Sequence, residues 1–301
     1  MGKLRALLPI FRKFSGYAIG RFYPTRLLWR YAIGRFYPTR LLWNSLLPQL
    51  TATFAEVQGH KMFLDTGDFT WLSLCGIYEP LTTELFKRRI KRGDVVLDIG
   101  AFIGYYTLIA ARLVGENGKV FAFEPDPTNF QLLRKNVSIN CYENVIAVQK
   151  AVSDRTGKTK LYLSKDNPGD HRIYESYDRR QSIEIEAIRL DDYFKNYERK
   201  IDFIKMDVQG AEEFVIRGMP LVLQKNRNIE IVIEFWPIGL KRSGVEPEEH
   251  LKSLVECSFK IYDINEQKRK VELSTIGELV KTYKDRSTNL FLTRQPFPNS
   301  S

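Results

Sequence analysis

The stretch VVLDIGAFIGYYTLIAARLVG (95–115), followed three residues later by KVFAFEPDPTNFQLLRKNVSI (119–139), decides the fold. VVLDIG (95–100) is an almost unbroken apolar run, as expected of a strand covered on both faces. YYTLIAARLVG (105–115) reads as a helix ended by Gly115. KVFAFEP (119–125) is a second strand, and PTNFQLLRKNVSI (127–139) a second helix with Pro127 in its first turn. Strand alternating with helix implies parallel strands joined by right-handed crossovers.

The same rhythm runs outward on both sides. FAEVQGHKMFLD (54–65) is β-rich with a turn at Gly59, and LTTELFKRRI (81–90) is a helix. Downstream, NVIAVQKAV (144–152), IDFIKMDV (201–208) and NIEIVIEFW (228–236) read as strands. GAEEFVIRGM (210–219) and EPEEHLKSLVECS (246–258) read as helices between and after them. FKIYDINE (259–266) and TNLFLTR (288–294) are two final β segments with no long helix between them, which suits an antiparallel terminal strand. Residues 156–194 break the rhythm: TKLYLS and SIEIEAIRL flank the polar NPGDHRIYESYDRRQ, read as an inserted substrate loop. The expectation is an α/β, Rossmann-like domain over 54–301, with a mostly parallel seven-stranded sheet, an antiparallel terminal strand and a β-rich insertion at 156–194.

Charge separates this body from what precedes it. The chain of 301 residues carries a formal charge of +10, yet residues 1–55 hold nine basic residues and no acid. From Glu56 onward 37 basic residues face 36 acidic ones, so a coat-like nucleic-acid protein is excluded. The leader (1–53) repeats YAIGRFYPTRLLW at 17–29 and 31–43, a period of 14, too few copies for a solenoid. Arginines interleaved with aromatic rings suit an anionic membrane surface, while Pro24 and Pro38 break any continuous helix. The uncharged stretch 41–55 is short and contains Asn44, Ser45, Pro48 and Gln49, so no bilayer span is expected. Arginines interrupt each apolar segment, which argues against a signal peptide. The body is expected in the cytoplasm, with the leader at the inner face of the membrane. Three scattered cysteines and three histidines give neither a disulfide framework nor a zinc motif.

In open α/β sheets ligands sit beyond the carboxyl ends of the strands. The first strand ends in Asp98-Ile99-Gly100-Ala101-Phe102-Ile103-Gly104, and the second in Glu124, followed by Pro125 and Asp126. Glycine permits close backbone approach, and a carboxylate about 20 residues further on can accept both hydroxyl hydrogens of a ribose. Nicotinamide and S-adenosylmethionine folds share these features. The GxxxG spacing, the acid at Asp98 and the antiparallel terminal strand favour S-adenosylmethionine. Candidate cofactor residues are Asp98, Gly100 and Gly104 at the methionine end, Glu124 and Asp126 at the ribose, the Ala151 backbone at the adenine, and Tyr78 packing on the ligand. Candidate bases for a hydroxyl nucleophile are Asp207 and Glu234 at strand ends and His171 in the insertion. Asp207 could alternatively cap the next helix, and His250 reads as structural. Two acids at neighbouring strand ends could hold Mg²⁺, but nothing in the spacing demands a metal, and none is assigned.

Several motifs in order resemble the FkbM family of S-adenosylmethionine-dependent methyltransferases, over roughly residues 54–294. They are YEP (78–80), VVLDIGAFIGYYTLIAARLVG (95–115), FAFEPDPTNFQLLRKNVSIN (121–140), NPGDHRIY (167–174), IDFIKMDVQGAEEFVIRGM (201–219) and NLFL (289–292). Phe102 stands where the family usually has Asn, and Gln209 where it usually has Glu. The resemblance implies the class I methyltransferase fold and methylation of a hydroxyl oxygen on a sugar, glycolipid or related product. The absence of an (Asn/Asp)-Pro-Pro-(Tyr/Phe) run after the fourth strand agrees with oxygen over nitrogen. An RNA methyltransferase and a non-catalytic S-adenosylmethionine-binding module stay open as alternatives, and a nicotinamide oxidoreductase is a further class. Nucleic acid is not expected as a partner of the nearly neutral body.

Overall fold

A computed structural model describes residues 52–175 and 177–297. The duplicated leader sequence at 17–43, and the membrane contact expected of it, lie outside the described residues. In chain order the first elements are β1 (Phe54–Val57), β2 (His60–Phe63), α1 (Leu72–Cys75), α2 (Pro80–Arg89), β3 (Val95–Ile99) and α3 (Tyr105–Val114). There follow β4 (Lys119–Phe123), α4 (Pro127–Ile139), β5 (Val145–Val148), β6 (Ala151–Val152), β7 (Gly157–Tyr162) and β8 (Ser182–Ile188). Next come α5 (Leu190–Tyr193), β9 (Phe203–Met206), α6 (Glu212–Arg217), α7 (Pro220–Lys225), β10 (Glu230–Phe235) and α8 (Pro237–Arg242). The last are α9 (Pro247–Glu256), β11 (Lys260–Asn265), β12 (Lys270–Leu273), α10 (Ile276–Thr282) and β13 (Thr288–Thr293).

The main sheet has the order β12-β11-β13-β10-β9-β3-β4-β5. Strands β5, β4, β3, β9 and β10 run parallel. β13 is inserted antiparallel between β10 and β11. The Rossmann-like class I arrangement is therefore present, with eight strands where seven were expected. The additional strand, β12, is a polar hairpin partner of β11 at the sheet edge, and its half-exposed KVEL lacks an apolar signature. The expected third strand divides: β5 ends at Val148, and Ala151–Val152 leaves to pair with β8. That departure builds the insertion into a separate sheet, β6-β8-β7, packed on Leu161, Ile185 and Ala187.

The sheet buries apolar residues on both faces, as the continuous runs require. Leu97, Ile99, Ile204, Met206, Ile231 and Ile233 belong to one core, and Val96, Phe203, Val232 and Phe291 to the other. Each such side chain contributes about 1.5–3 kcal/mol of burial. Period-two alternation on the second face leads from Val96 to Asp98, from Phe203 to Lys205 and Asp207, and from Val232 to Glu234. The carboxyl ends of three adjacent strands thus turn from apolar to charged on the same face.

Candidate active site

The loop after β3 is shaped by backbone contacts. Gly100 has φ 81°, and a Cβ there would stand 1.9 Å from the Asp207 carbonyl oxygen. Only glycine lets β3 and β9 approach so closely. The Gly100 and Ala101 N–H groups donate to the Phe123 carbonyl at 3.0 and 2.9 Å. Gly104 precedes α3 with φ 96°, and a Cβ there would meet Leu133 at 2.8 Å, so its role is packing beneath the loop.

Beyond this loop opens a cleft of about 550 Å³, counted out to its mouth. Gly100, Phe102, Glu124, Ala151, His171 and Asp207 are among its lining residues. Glu124 is buried at the end of β4, where Oε2 accepts from the Phe102 N–H and Oε1 from the Asp126 N–H, both at 2.9 Å. Burial pushes its carboxyl up to about 8, opposed by those backbone donors. The Phe102 bond comes from the backbone, so the unusual side chain at this position leaves it intact. The chemistry suits S-adenosylmethionine: a carboxylate for the ribose diol, and apolar Val152, Leu161 and Ile173 for a flat base.

Other expected cofactor residues have different posts. Asp126 caps α4, accepting from Thr128 N–H at 3.0 Å and Asn129 N–H at 2.8 Å. Asp98 is buried behind the loop and takes the Thr107 hydroxyl hydrogen, outside the residues that line the cleft. Burial raises its pKa to about 6, against the pull of Thr107 and Lys205. The Tyr78 N–H donates to the Tyr105 hydroxyl at 3.2 Å, and the two rings meet edge-on at 6.1 Å. Tyr78, partly buried, packs against the second core and is not among the residues that line the cleft. Asp98, Gly104, Asp126 and Tyr78 are not among the residues that line this cleft.

The insertion is strapped across the cleft by polar bonds. Asn129 Nδ2 donates to the Pro168 carbonyl at 2.9 Å, and the Tyr174 hydroxyl to the Gln209 carbonyl at 2.6 Å. The Arg172 guanidinium lies 4.9 Å over the Trp236 ring. His171 Nδ1 accepts from the Ser164 N–H at 3.0 Å, and its Nε2 faces Asp126 at 3.8 Å. Burial lowers its pKa. With Nδ1 accepting, the neutral ring carries its proton on Nε2. His171 lines the same cleft as Asp207, with its Nδ1 held by the Ser164 N–H.

Asp207 and Glu234 do come together. Gln209 Nε2 donates to Asp207 Oδ1 at 2.7 Å and to Glu234 Oε2 at 3.5 Å. Asp207 does not cap the next helix; Glu212 reaches back, and its Oε1 accepts from the Val208 and Gly210 N–H groups at 3.1 and 3.2 Å. Lys205, beside Asp98 in the β3–β9 register, is fully buried. Its Nζ lies 3.7 Å from Asp207 Oδ2 and 3.3 Å from Asn289 Oδ1. Burial alone would lower the Lys205 pKa, but Asp207, Glu79, Glu234 and Asp98 hold it above the usual value. Burial, then Asp207 and Glu212, push Glu234 well up, and burial raises Glu212 to about 7. Sequence reasoning missed Lys205 and Glu212. The available signals were a lysine inside the apolar run FIKM and an acid at the opening of a helix.

The Methyltransferase FkbM domain model matches residues 98–261, more than half of the chain. The methyltransferase sdnD of Sordaria araneosa is 27% identical, with 54% of this chain and 71% of that protein covered. The hexuronic acid methyltransferase AglP of Haloferax volcanii is 28% identical, covering 58% and 67% respectively. The 2-O-methyltransferase NoeI of Sinorhizobium fredii is 30% identical, covering 51% and 71%. The chain belongs to the FkbM family of S-adenosylmethionine-dependent methyltransferases.

Proposed function

We propose that this methyltransferase acts on a hydroxyl oxygen of a sugar, glycolipid or related natural product. One observation carries the reading: the cleft lining runs unbroken from Glu124 to Asp207 and Gln209, so a carboxylate cluster adjoins the cofactor position. Two relatives named as a hexuronic acid methyltransferase and a 2-O-methyltransferase support it. When bound, S-adenosylmethionine supplies a methyl group made electrophilic by its sulfonium. Glu124 holds the ribose diol, and the Val152, Leu161 and Ile173 wall holds the base. Asp207, the member of the acid cluster that lines the cleft, orients the acceptor hydroxyl and draws its proton toward the cluster. A neutral alcohol is a poor nucleophile, so this proton transfer and the alignment of oxygen with the methyl group supply the acceleration. The strapped insertion keeps water from the line of attack.

Incubation of the protein with methyl-labelled S-adenosylmethionine and fractionated glycans and lipids tests this. Label should appear as an O-methyl group by mass spectrometry, and Asp207→Asn should remove it. Label confined to RNA or to a nitrogen atom would refute the reading. For the leader, we propose docking on an anionic membrane surface through its arginine–aromatic repeat. Vesicle co-sedimentation that is unchanged when the leader arginines become serine would count against it.

A further inference from the structure

We propose that Asp207, Glu212 and Glu234 form a binding site for a divalent cation. The three side chains come from the end of β9, the start of α6 and the end of β10, and one carboxylate oxygen from each lies within 4.8 Å of the others. Oxygens on opposite sides of a Ca²⁺-sized ion are separated by about 4.6–5.2 Å, against about 4.0–4.2 Å for Mg²⁺. A ceiling of 4.8 Å on these separations admits either ion. An all-carboxylate set selects hard cations of the Ca²⁺, Mn²⁺ and Mg²⁺ kind over zinc or copper.

A second observation points to the ion independently. Glu212 is wholly buried, its Oε1 is fixed by two backbone N–H groups, and its Oε2 has no hydrogen-bond partner. A carboxyl oxygen buried without a partner is costly, and a cation relieves that cost. One ammonium, Lys205 Nζ, 3.7 Å from Asp207 Oδ2, is shared among Asp207, Glu79, Glu234 and Asp98. Gln209 already spans Asp207 and Glu234 with its amide N–H₂. Rotating that amide by half a turn presents Oε1 as a further oxygen ligand.

Under the hydroxyl-methylation reading, on which only this last step rests, the ion binds the acceptor oxygen and makes its proton easier to lose. The ion site itself requires no assumption about the acceptor.

The full-length protein, stripped of metal with a chelator, is titrated with Mn²⁺ and followed by the electron paramagnetic resonance of the free ion. One Mn²⁺ should bind per chain and be displaced by an excess of Ca²⁺ or Mg²⁺. Glu212→Gln and Glu234→Gln should each weaken binding by about tenfold or more. Gln209→Lys, which brings an ammonium to the cluster, should abolish it. Binding of S-adenosylhomocysteine by these variants reports that they fold. Glu124→Gln should lose S-adenosylhomocysteine affinity while keeping Mn²⁺. Absence of Mn²⁺ binding at millimolar ion, or equal binding by all three cluster variants, overturns the proposal. Mn²⁺ binding without O-methyl product on any fraction would refute the acceptor reading and leave the ion site standing.

Discussion

The end of the cleft at Glu124 and the carboxylate cluster that meets the cleft at Asp207 both hold carboxyl groups above their ordinary range, Glu124 in the first and Glu212 and Glu234 in the second. They do so in different ways. Each Glu124 oxygen accepts a backbone N–H, and the group is raised chiefly by burial, with the Asp126 charge adding to it, so it awaits further donors. Glu234 faces other carboxylates as well as a dry interior, so its neighbours oppose its charge. A carboxylate already met by N–H groups is built to receive hydroxyl hydrogens. A set of crowded carboxylates is built to receive a proton or a cation.

The largest expected effect tests the joint between the two regions. Gly100→Ala drives a methyl group into the Asp207 carbonyl and forces a positive φ on alanine, so a loss exceeding about 4 kcal/mol is expected in denaturant unfolding. Wild-type stability in that variant would mean the two regions are not locked through this backbone contact. Next, Glu124→Gln removes the charge that serves the ribose. About 2–3 kcal/mol, or roughly 30- to 150-fold, should be lost from S-adenosylhomocysteine affinity by calorimetry. The Mn²⁺ site should be untouched.

The pH dependence sharpens the contrast. Two backbone donors and two ribose hydroxyls occupy the four acceptor positions of Glu124 and leave no place for a proton. Affinity for S-adenosylhomocysteine should therefore rise with pH, approaching tenfold per unit below about 8 and levelling above it. Glu124→Gln should flatten this rise; an equally steep profile in the variant would assign the proton elsewhere. The sign for stability is opposite. The folded state holds the Glu124 proton from about pH 4.5 to about 8, so this contribution is present in acid and lost as pH climbs through that window. The smallest effect is expected from Asp126→Ala, which removes a helix cap at about 1 kcal/mol. A drop in cofactor affinity as large as that of Glu124→Gln would return Asp126 to the ribose.

Much of this architecture was legible in local pattern. Apolar runs ending at Asp98 and Glu124, and a helix opening at Pro127, identify consecutive elements and the loops between them. The short α10 was missed although Thr275 and Glu278 form a capping box, because among its buried residues only Leu279 marks an apolar face. His171 reads as a candidate base since a histidine in a polar loop has no visible partner in one dimension. The structure supplies Ser164 and Asp126.

The sequence by itself determined the parallel α/β core, the glycine turn after β3 and the acid after β4, because periodicity and turn chemistry are properties of neighbouring residues. The sequence set Asp207 and Glu234 at neighbouring strand ends; the tertiary structure alone decided that Glu212 and a buried Lys205 join them within a few ångströms. That meeting depends on strand order, register and helix docking. The charges shift one another through space, across separations in the chain that no local pattern records.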